Sequence, residues 1–354
     1  MSEKSWALKH WKLIVNLVTL AALVILIYIV RDDLGNTFRN LARVNAWALL
    51  LLLQVEFLNY HAQARMYQRL FAIVGNRLSY KFLFKTSLEL NFVNHIFPSG
   101  GVTGMSYFTL RLRQGKQLSA GKATFIHVMK IALYFLAFEV ILIFGVLCLA
   151  LMGRVNGIVL LAAGSLSTLL IVGTIGFVYI IGSKQRINSF FTGLTRALNR
   201  LIRIVRPSYP ETINISQAKK SFDDFHDSYQ AIKDNYHQLK IPFLYALLAD
   251  ATEVAAVYVV YIAFGEWVNI GAVILAYGIA NFAGLVSVLP GGVGIYEAIM
   301  TTVLAATGIP PGVSLPVTVM YRILNTLIQI PPGYYLYHKA IRRGDLSAEL
   351  SHAD

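Results

Sequence analysis

Long apolar stretches separated by short polar ones run along most of the chain. A helix that crosses a hydrocarbon core of about 30 Å needs about 20 mainly apolar residues. Five stretches reach or approach this length, and a sixth, more polar one precedes a basic run that begins at Arg65. The six predicted spans are 13–30, 46–64, 123–152, 157–182, 241–264 and 313–338. The pattern therefore predicts an all-α, polytopic membrane protein.

Two further apolar regions are each interrupted by a Pro followed by clustered Gly. The first reads NHIFPSGG at 94–101 and the second VSVLPGGVG at 286–294. Pro removes a backbone donor and Gly weakens a helix, and in lipid the freed backbone groups need partners inside the protein or in a water-filled cavity. We expect each break to be the tip of a re-entrant helical hairpin, near 82–110 and near 268–307. The break residues are Pro98, Gly100, Gly101, Pro290, Gly291, Gly292 and Gly294.

The distribution of Lys and Arg along this basic chain favours a membrane surface over nucleic acid as its partner. The net charge is +13, yet only 14% of the residues are charged and 56% are hydrophobic. If the spans alternate, 25 of the 31 Lys and Arg fall on one side and four on the other, while Lys130 and Arg322 lie inside apolar stretches. This is the positive-inside pattern, so we expect both termini to lie in the cytoplasm. We expect the membrane to be the cytoplasmic membrane of a prokaryote. The basic excess then favours anionic lipids as partners and needs no nucleic acid.

The same topology divides the chain into two transmembrane halves joined by a cytoplasmic loop. The predicted segments are a first half at 1–182, a loop at 183–240, a second half at 241–340 and a tail at 341–354. In the loop, apolar residues at helical spacing between Phe190 and Val205 alternate with Arg. They predict an amphipathic helix on the inner leaflet, and a solvated connector is the alternative.

The two halves repeat the same arrangement in opposite orientation. Superposing Pro98 on Pro290 places Lys130 on Arg322, because each cation follows its Pro by 32 residues. The flanks of the first hairpin are rich in Lys and Arg and those of the second are poor in them, so the first should enter from the cytoplasm and the second from outside. We therefore expect an inverted-topology repeat, a plan of many secondary transporters whose sites lie where broken helices meet.

These motifs resemble the integral-membrane region of lysyl-phosphatidylglycerol synthases and the flippase-like proteins related to it. The resemblance covers most of residues 10–340 and is carried by LPGGVGIYEAIM, by TG at 307–308 and YR at 321–322, and by FPSGG and MK at 129–130 in the first half. It implies translocation of an anionic phospholipid or a lipid-linked precursor between leaflets. We expect no aminoacyl-transferase domain after the last span, and therefore no enzyme activity.

Charged and polar residues within the apolar stretches are the candidate site. A charge in the membrane interior costs about 2.5–3.5 kcal/mol on insertion scales, so Lys130 and Arg322 are functional candidates. They offer one cation near each leaflet for an anionic head group, Arg as a bidentate fork and Lys as a point charge. Polar neighbours at helical spacing or beside the first break complete the predicted head-group site: Asn325, Gln329, His127, Tyr134 and Asn94. The alternative is that both cations form structural ion pairs with Glu139, Glu297 or Asp250.

Three carboxylates could carry protons. Glu297 follows the second break and is either a proton-coupling group or the counter-ion of Arg322. Asp250 and Glu253 share one helix face at i and i+3, and they either carry a proton or lie near the cytoplasmic interface.

Three other functions stay open on the sequence alone. The protein could transport a small soluble anion, or it could serve as a non-transporting scaffold for an envelope enzyme. Whichever function it has, it could form a homo-oligomer. An intramembrane hydrolase would need His95 and Ser99 within hydrogen-bond reach. We find no metal-ligand cluster and expect neither metal nor cofactor.

Overall fold

A computed structural model describes residues 44–96, 102–116, 118–187, 189, 215–286 and 294–342. These residues form helices and connecting turns, with no strand among them. Four of the described helices are long and apolar enough to cross a membrane: Ala120–Leu151, Gly157–Ile181, the continuous segment Tyr236–Ala263, and Pro311–Arg342. The prediction of an all-helical membrane protein is therefore confirmed.

The helices follow one another with short connections. In chain order they are α1 (Ala46–Leu49), α2 (Leu51–Ile73), α3 (Tyr80–Ile96), α4 (Val102–Lys116), α5 (Ala120–Leu151), α6 (Gly157–Ile181), α7 (Ile215–Asp234), α8 (Lys240–Ala263), α9 (Ile270–Val286), α10 (Ile295–Ala306) and α11 (Pro311–Arg342). The predicted span 13–30, the amphipathic segment at 190–205 and the tail from 343 lie outside the described residues.

Four helices of the first half match four of the second in order and length. The pairs contain 23 and 24 residues (α2 and α8), 17 and 17 (α3 and α9), 15 and 12 (α4 and α10), and 32 and 32 (α5 and α11). The chain thus uses one helical plan twice.

The ends of α2 and α8 repeat the same capping geometry. Each helix is followed by a glycine with positive φ, Gly75 at +82° and Gly265 at +77°. In both turns the next amide donates to the carbonyl five residues earlier, at 2.8 Å and 3.0 Å. This is the Schellman arrangement, which uses Gly because a side chain is strained at positive φ.

The matched helices pack reciprocally across the two halves. α2 packs along α8, while α3 of the first half packs on α11 of the second and α9 of the second half packs on α5 of the first. Glycines allow close approach at both crossings. A Cβ on Gly333 of α11 would meet Phe92 and the carbonyl of Leu88 on α3, and one on Gly271 of α9 would overlap the carbonyl oxygen of Gly145 on α5.

The Gly271 contact gives a stability prediction. Gly271→Ala should lower the free energy of unfolding by about 1–3 kcal/mol, because the added methyl group overpacks a crossing whose neighbour is backbone. A detergent melting curve measures the effect. Gly164→Ala on α6 is the matched control, since a Cβ there meets nothing within 4 Å. Equal melting temperatures for the two variants would contradict the close crossing.

Candidate functional site

Polar side chains of α2 point into the bundle and meet α8. Glu56 and Asn59 are each only 3% exposed. The Asn59 side-chain amide donates to the carbonyl of Ala249 at 3.0 Å, to Thr252 Oγ1 at 3.0 Å and to Glu253 Oε1 at 3.1 Å. Asn59 is therefore the polar centre of the α2–α8 contact.

Lys130 of α5 extends this network. Its Nζ donates to Gln63 Oε1 at 3.0 Å, and the amide of Gln63 donates to Asn59 Oδ1 at 2.6 Å. The ammonium also lies over two aromatic rings, 5.3 Å from the centroid of Tyr67 and 4.9 Å from that of Tyr134. Ring faces attract a desolvated cation, so Lys130 is held by an amide and two rings.

The carboxylates of α8 surround this cation at a greater distance. Lys130 interacts electrostatically with Asp250 and Glu253. Among the described residues, however, no carboxylate oxygen lies within 4 Å of Lys130 Nζ, the distance that defines an ion pair. Glu253 Oε2 instead accepts from the Tyr277 hydroxyl at 3.2 Å. Asp250 is 8% exposed, and its Oδ2 has no hydrogen-bond partner in this part of the chain.

A second network joins α11 to α2 and α3 through Gln329. The Gln329 amide donates to Glu56 Oε2 and to Asn325 Oδ1, both at 2.8 Å. The Asn91 amide donates to Gln329 Oε1 and to the Tyr60 hydroxyl, each at 2.5 Å. The two predicted α11 residues, Asn325 and Gln329, are therefore engaged with other protein side chains.

Arg322 forms an ion pair with Glu297, the third residue of α10. The other carboxylate oxygen of Glu297 accepts from the backbone amide of Gly294 at 2.7 Å, at a residue with φ of +86°. The Arg322 guanidinium also lies 4.8 Å from the ring centroid of Tyr296. One carboxylate thus joins the arginine of α11 to the N-terminus of α10.

The other predicted residues lie in several places. His127 Nδ1 is 2.9 Å from the Tyr67 hydroxyl, so it is connected to the ring beneath Lys130. Asn94 lies against Gly104 of α4, and His95 Nδ1 is 2.9 Å from the carbonyl oxygen of Asn91. The break residues Pro98, Gly100, Gly101, Pro290, Gly291 and Gly292 lie outside the described residues, as does Ser99.

Several members of the site were not predicted from the sequence. Asn59, Gln63, Asn91 and Tyr277 each make a hydrogen bond that joins two helices. The available signal was the spacing of Glu56, Asn59 and Gln63, which occupy one helix face at i, i+3 and i+7 within an apolar stretch. A separate buried pair joins α3 and α4, where Arg111 Nε donates to Glu89 Oε2 at 2.9 Å.

The described residues contain no group of three or more His, Cys, Asp or Glu side chains that could hold a metal ion. The chemistry offered by the site is therefore that of cations, amides, hydroxyls and carboxyl groups. Such groups can hold an anion and exchange protons within an apolar bundle.

The chain is similar to a known protein family and to individual membrane proteins. A family model described as "Lysylphosphatidylglycerol synthase TM region" matches residues 13–333. A "UPF0104 membrane protein" of Methanothermobacter thermautotrophicus is 32% identical over 91 residues, 26% of this chain and 27% of that protein. The "UPF0104 membrane protein PH1989" of Pyrococcus horikoshii is 22% identical over 135 residues, 36% of this chain and 40% of that protein. Each of these alignments spans less than half of the relative's own length.

Proposed function

Because the chain belongs to the family of the lysylphosphatidylglycerol synthase TM region, we propose that it translocates an anionic phospholipid or lipid-linked precursor between membrane leaflets. The observation that carries the proposal is the partly buried polar network, which runs from Lys130 through Gln63 and Asn59 to Glu253 within an apolar bundle. Polar and ionisable groups are expensive in a membrane interior and generally line substrate or ion pathways.

The proposed architecture is an inverted repeat of six spans and two re-entrant hairpins. Four of the six spans are the long apolar helices described above. The other two are α2, which is 23 residues long, and the stretch 13–30. α3, α4, α9 and α10 have 17, 15, 17 and 12 residues, so their lengths are only about 18–26 Å. Pairs of helices this short suit hairpins that enter and leave on the same side.

The two cations are suited to act as separate stations for one phosphate group. Lys130 lies ten residues after the start of α5 and Arg322 eleven after the start of α11, so both are about 15–17 Å along their helices. If α5 starts in the cytoplasm and α11 outside, the two stations serve opposite leaflets. A phosphate at Arg322 competes with Glu297, whereas a phosphate at Lys130 replaces an amide contact.

Removal of the Lys130 charge tests the proposed function. Lys130→Gln should slow translocation of fluorescent phosphatidylglycerol in phosphatidylcholine proteoliposomes at least about tenfold, since a lost charge-assisted contact is worth about 1.5–3 kcal/mol. Dithionite quenching of the outer leaflet measures it, and Lys81→Gln at an exposed position is the control. Full translocation by Lys130→Gln would contradict a station at Lys130. Wild-type vesicles that take up soluble phosphate but do not flip lipid would favour the soluble-anion transporter, and wild type inactive in both would favour the scaffold.

The inverted topology gives a second prediction. In a Cys148→Ser background, Glu266→Cys should react with an impermeant maleimide added to sealed right-side-out cells, and Asp234→Cys should not. Both positions are exposed, and only the side of the membrane differs. Reaction of Asp234→Cys from outside, without lysis, would contradict cytoplasmic placement of the loop and with it the inverted repeat.

A further inference from the structure

Carboxyl groups outnumber cations in the polar centre of the bundle. Glu56 and Asp250 are 3% and 8% exposed, and Glu253 lies beside them on α8. The cation that interacts with Asp250 and Glu253 is Lys130. If all three carboxyl groups were ionised, this apolar interior would hold two uncompensated negative charges.

The hydrogen bonds of this cluster do not supply the missing positive charge. Glu56 accepts from an amide of Gln329, and Glu253 accepts from the Asn59 amide and the Tyr277 hydroxyl. These donors are neutral. Asp250 Oδ2 has no hydrogen-bond donor among the described residues, although it is more than nine-tenths buried. A buried charge without a counter-ion is strongly unfavourable. A carboxyl group in this position therefore either pairs with a cation or binds a proton.

We propose that Asp250 and Glu253 form a proton-binding site coupled to Lys130, so that the protein takes up a proton together with its anionic substrate. This inference rests on the proposed function, because it identifies the coupling ion for the same site.

The coupling follows from the charge balance around Lys130. Without substrate, one carboxylate of the cluster balances the ammonium and the other carboxyl groups are protonated. When a phosphate anion binds the ammonium, that carboxylate loses its counter-ion and takes a proton from the aqueous side open at that moment. Release of the phosphate on the other side reverses both steps, so one proton moves with one anion and the cluster stays neutral.

Titratable and charged groups of the neighbouring helices face this cluster. They are Tyr60 and Tyr67 of α2, His127 and Tyr134 of α5, Tyr277 of α9, Tyr296 and Glu297 of α10, and Tyr321 and Arg322 of α11. The Glu297 carboxylate is already paired with Arg322. Asp250 and Glu253 are therefore the carboxyl groups of α8 that respond to the charge state of Lys130.

A proton gradient across the vesicle membrane tests the coupling. In phosphatidylcholine proteoliposomes with a trace of fluorescent phosphatidylglycerol, one pH unit should shift the wild-type leaflet ratio up to about tenfold. In the Asp250→Asn/Glu253→Gln double variant, any translocation that remains should not respond to the gradient. Asp234→Asn, at an exposed position, should respond as the wild type does.

An infrared measurement keeps the test decisive where the double variant does not translocate. Adding short-chain phosphatidylglycerol to the purified wild type should increase the absorbance of protonated carboxyl groups, and this increase should be absent from the double variant. An unchanged increase in the variant would overturn the proton site. Wild-type translocation that ignores the gradient would overturn the coupling and leave the proposed function standing, whereas a wild type that moves no lipid would overturn both.

Discussion

Arg322→Gln should reduce lipid translocation at least about tenfold and lower the free energy of unfolding by about 3 kcal/mol. Breaking a buried ion pair by removing one partner costs about 3–5 kcal/mol, because the remaining charge loses its compensation. Among the described residues, Glu297 then keeps the Gly294 amide as the donor at its other oxygen, and the side chains of Arg322 and Glu297 are 18% and 14% exposed. The translocation assay and a melting curve measure the two effects separately.

The double variant Glu297→Gln/Arg322→Gln distinguishes a head-group station from a structural ion pair. It removes both charges, so most of the lost stability should return. Translocation should stay low, because no guanidinium remains to hold a phosphate. A double variant that regains both stability and translocation would contradict the station at Arg322. The exposed pair of Lys184 and Asp223 is the control, since surface ion pairs contribute little.

Asn59→Leu should produce the second large effect. Leu has nearly the same size but removes the donor that joins α2 to Ala249, Thr252 and Glu253. Each buried acceptor left unsatisfied costs about 1–3 kcal/mol, so a loss of about 2–4 kcal/mol is expected. Translocation should fall with it, because Gln63 also loses its acceptor and with it the position that holds Lys130.

Gln54→Leu is the matched control for this prediction. Gln54 lies on the same helix as Asn59 but is exposed, and it makes none of the bonds to α8. Its melting temperature should remain close to that of the wild type. A melting temperature for Asn59→Leu equal to that of Gln54→Leu would contradict the role of Asn59 as the polar centre of the α2–α8 contact.

The sequence predicted the helices well because apolar length and Pro-Gly breaks are local signals. The expected stretch 241–264 corresponds to Lys240–Ala263, and the two apolar pieces before the breaks correspond to Tyr80–Ile96 and Ile270–Val286. The predicted span 46–64 ends at the basic run, whereas the helix α2 continues past it to Ile73. Arg65, Gln68 and Arg69 lie in this continuation, because these residue types are good helix formers and the opposite face of the helix is buried.

The cations of the site and the carboxylate partner Glu297 could be predicted, but the amide partners could not. Lys130 and Arg322 are conspicuous because a charge in an apolar stretch is costly. Asn59 and Asn91 are uncharged, and their role depends on which helix faces them. That information lies in the pairing of α2 with α8 and of α3 with α11, which single-helix periodicity does not contain. Glu297 had two open roles, and its contact with Arg322 is the arrangement expected of the counter-ion.

The reciprocal packing of α3 on α11 has a consequence for biogenesis. Phe92 contacts Gly333, so one surface of α3 meets its neighbour only after about 240 further residues have been made. At about 5–20 residues per second, the ribosome needs more than about ten seconds to connect the two. During that interval the partly buried amide of Asn91 has no Gln329 to bind. The insertion machinery or the lipid interface must therefore accommodate a polar helix until α11 has been made, and neither half can reach its native packing alone.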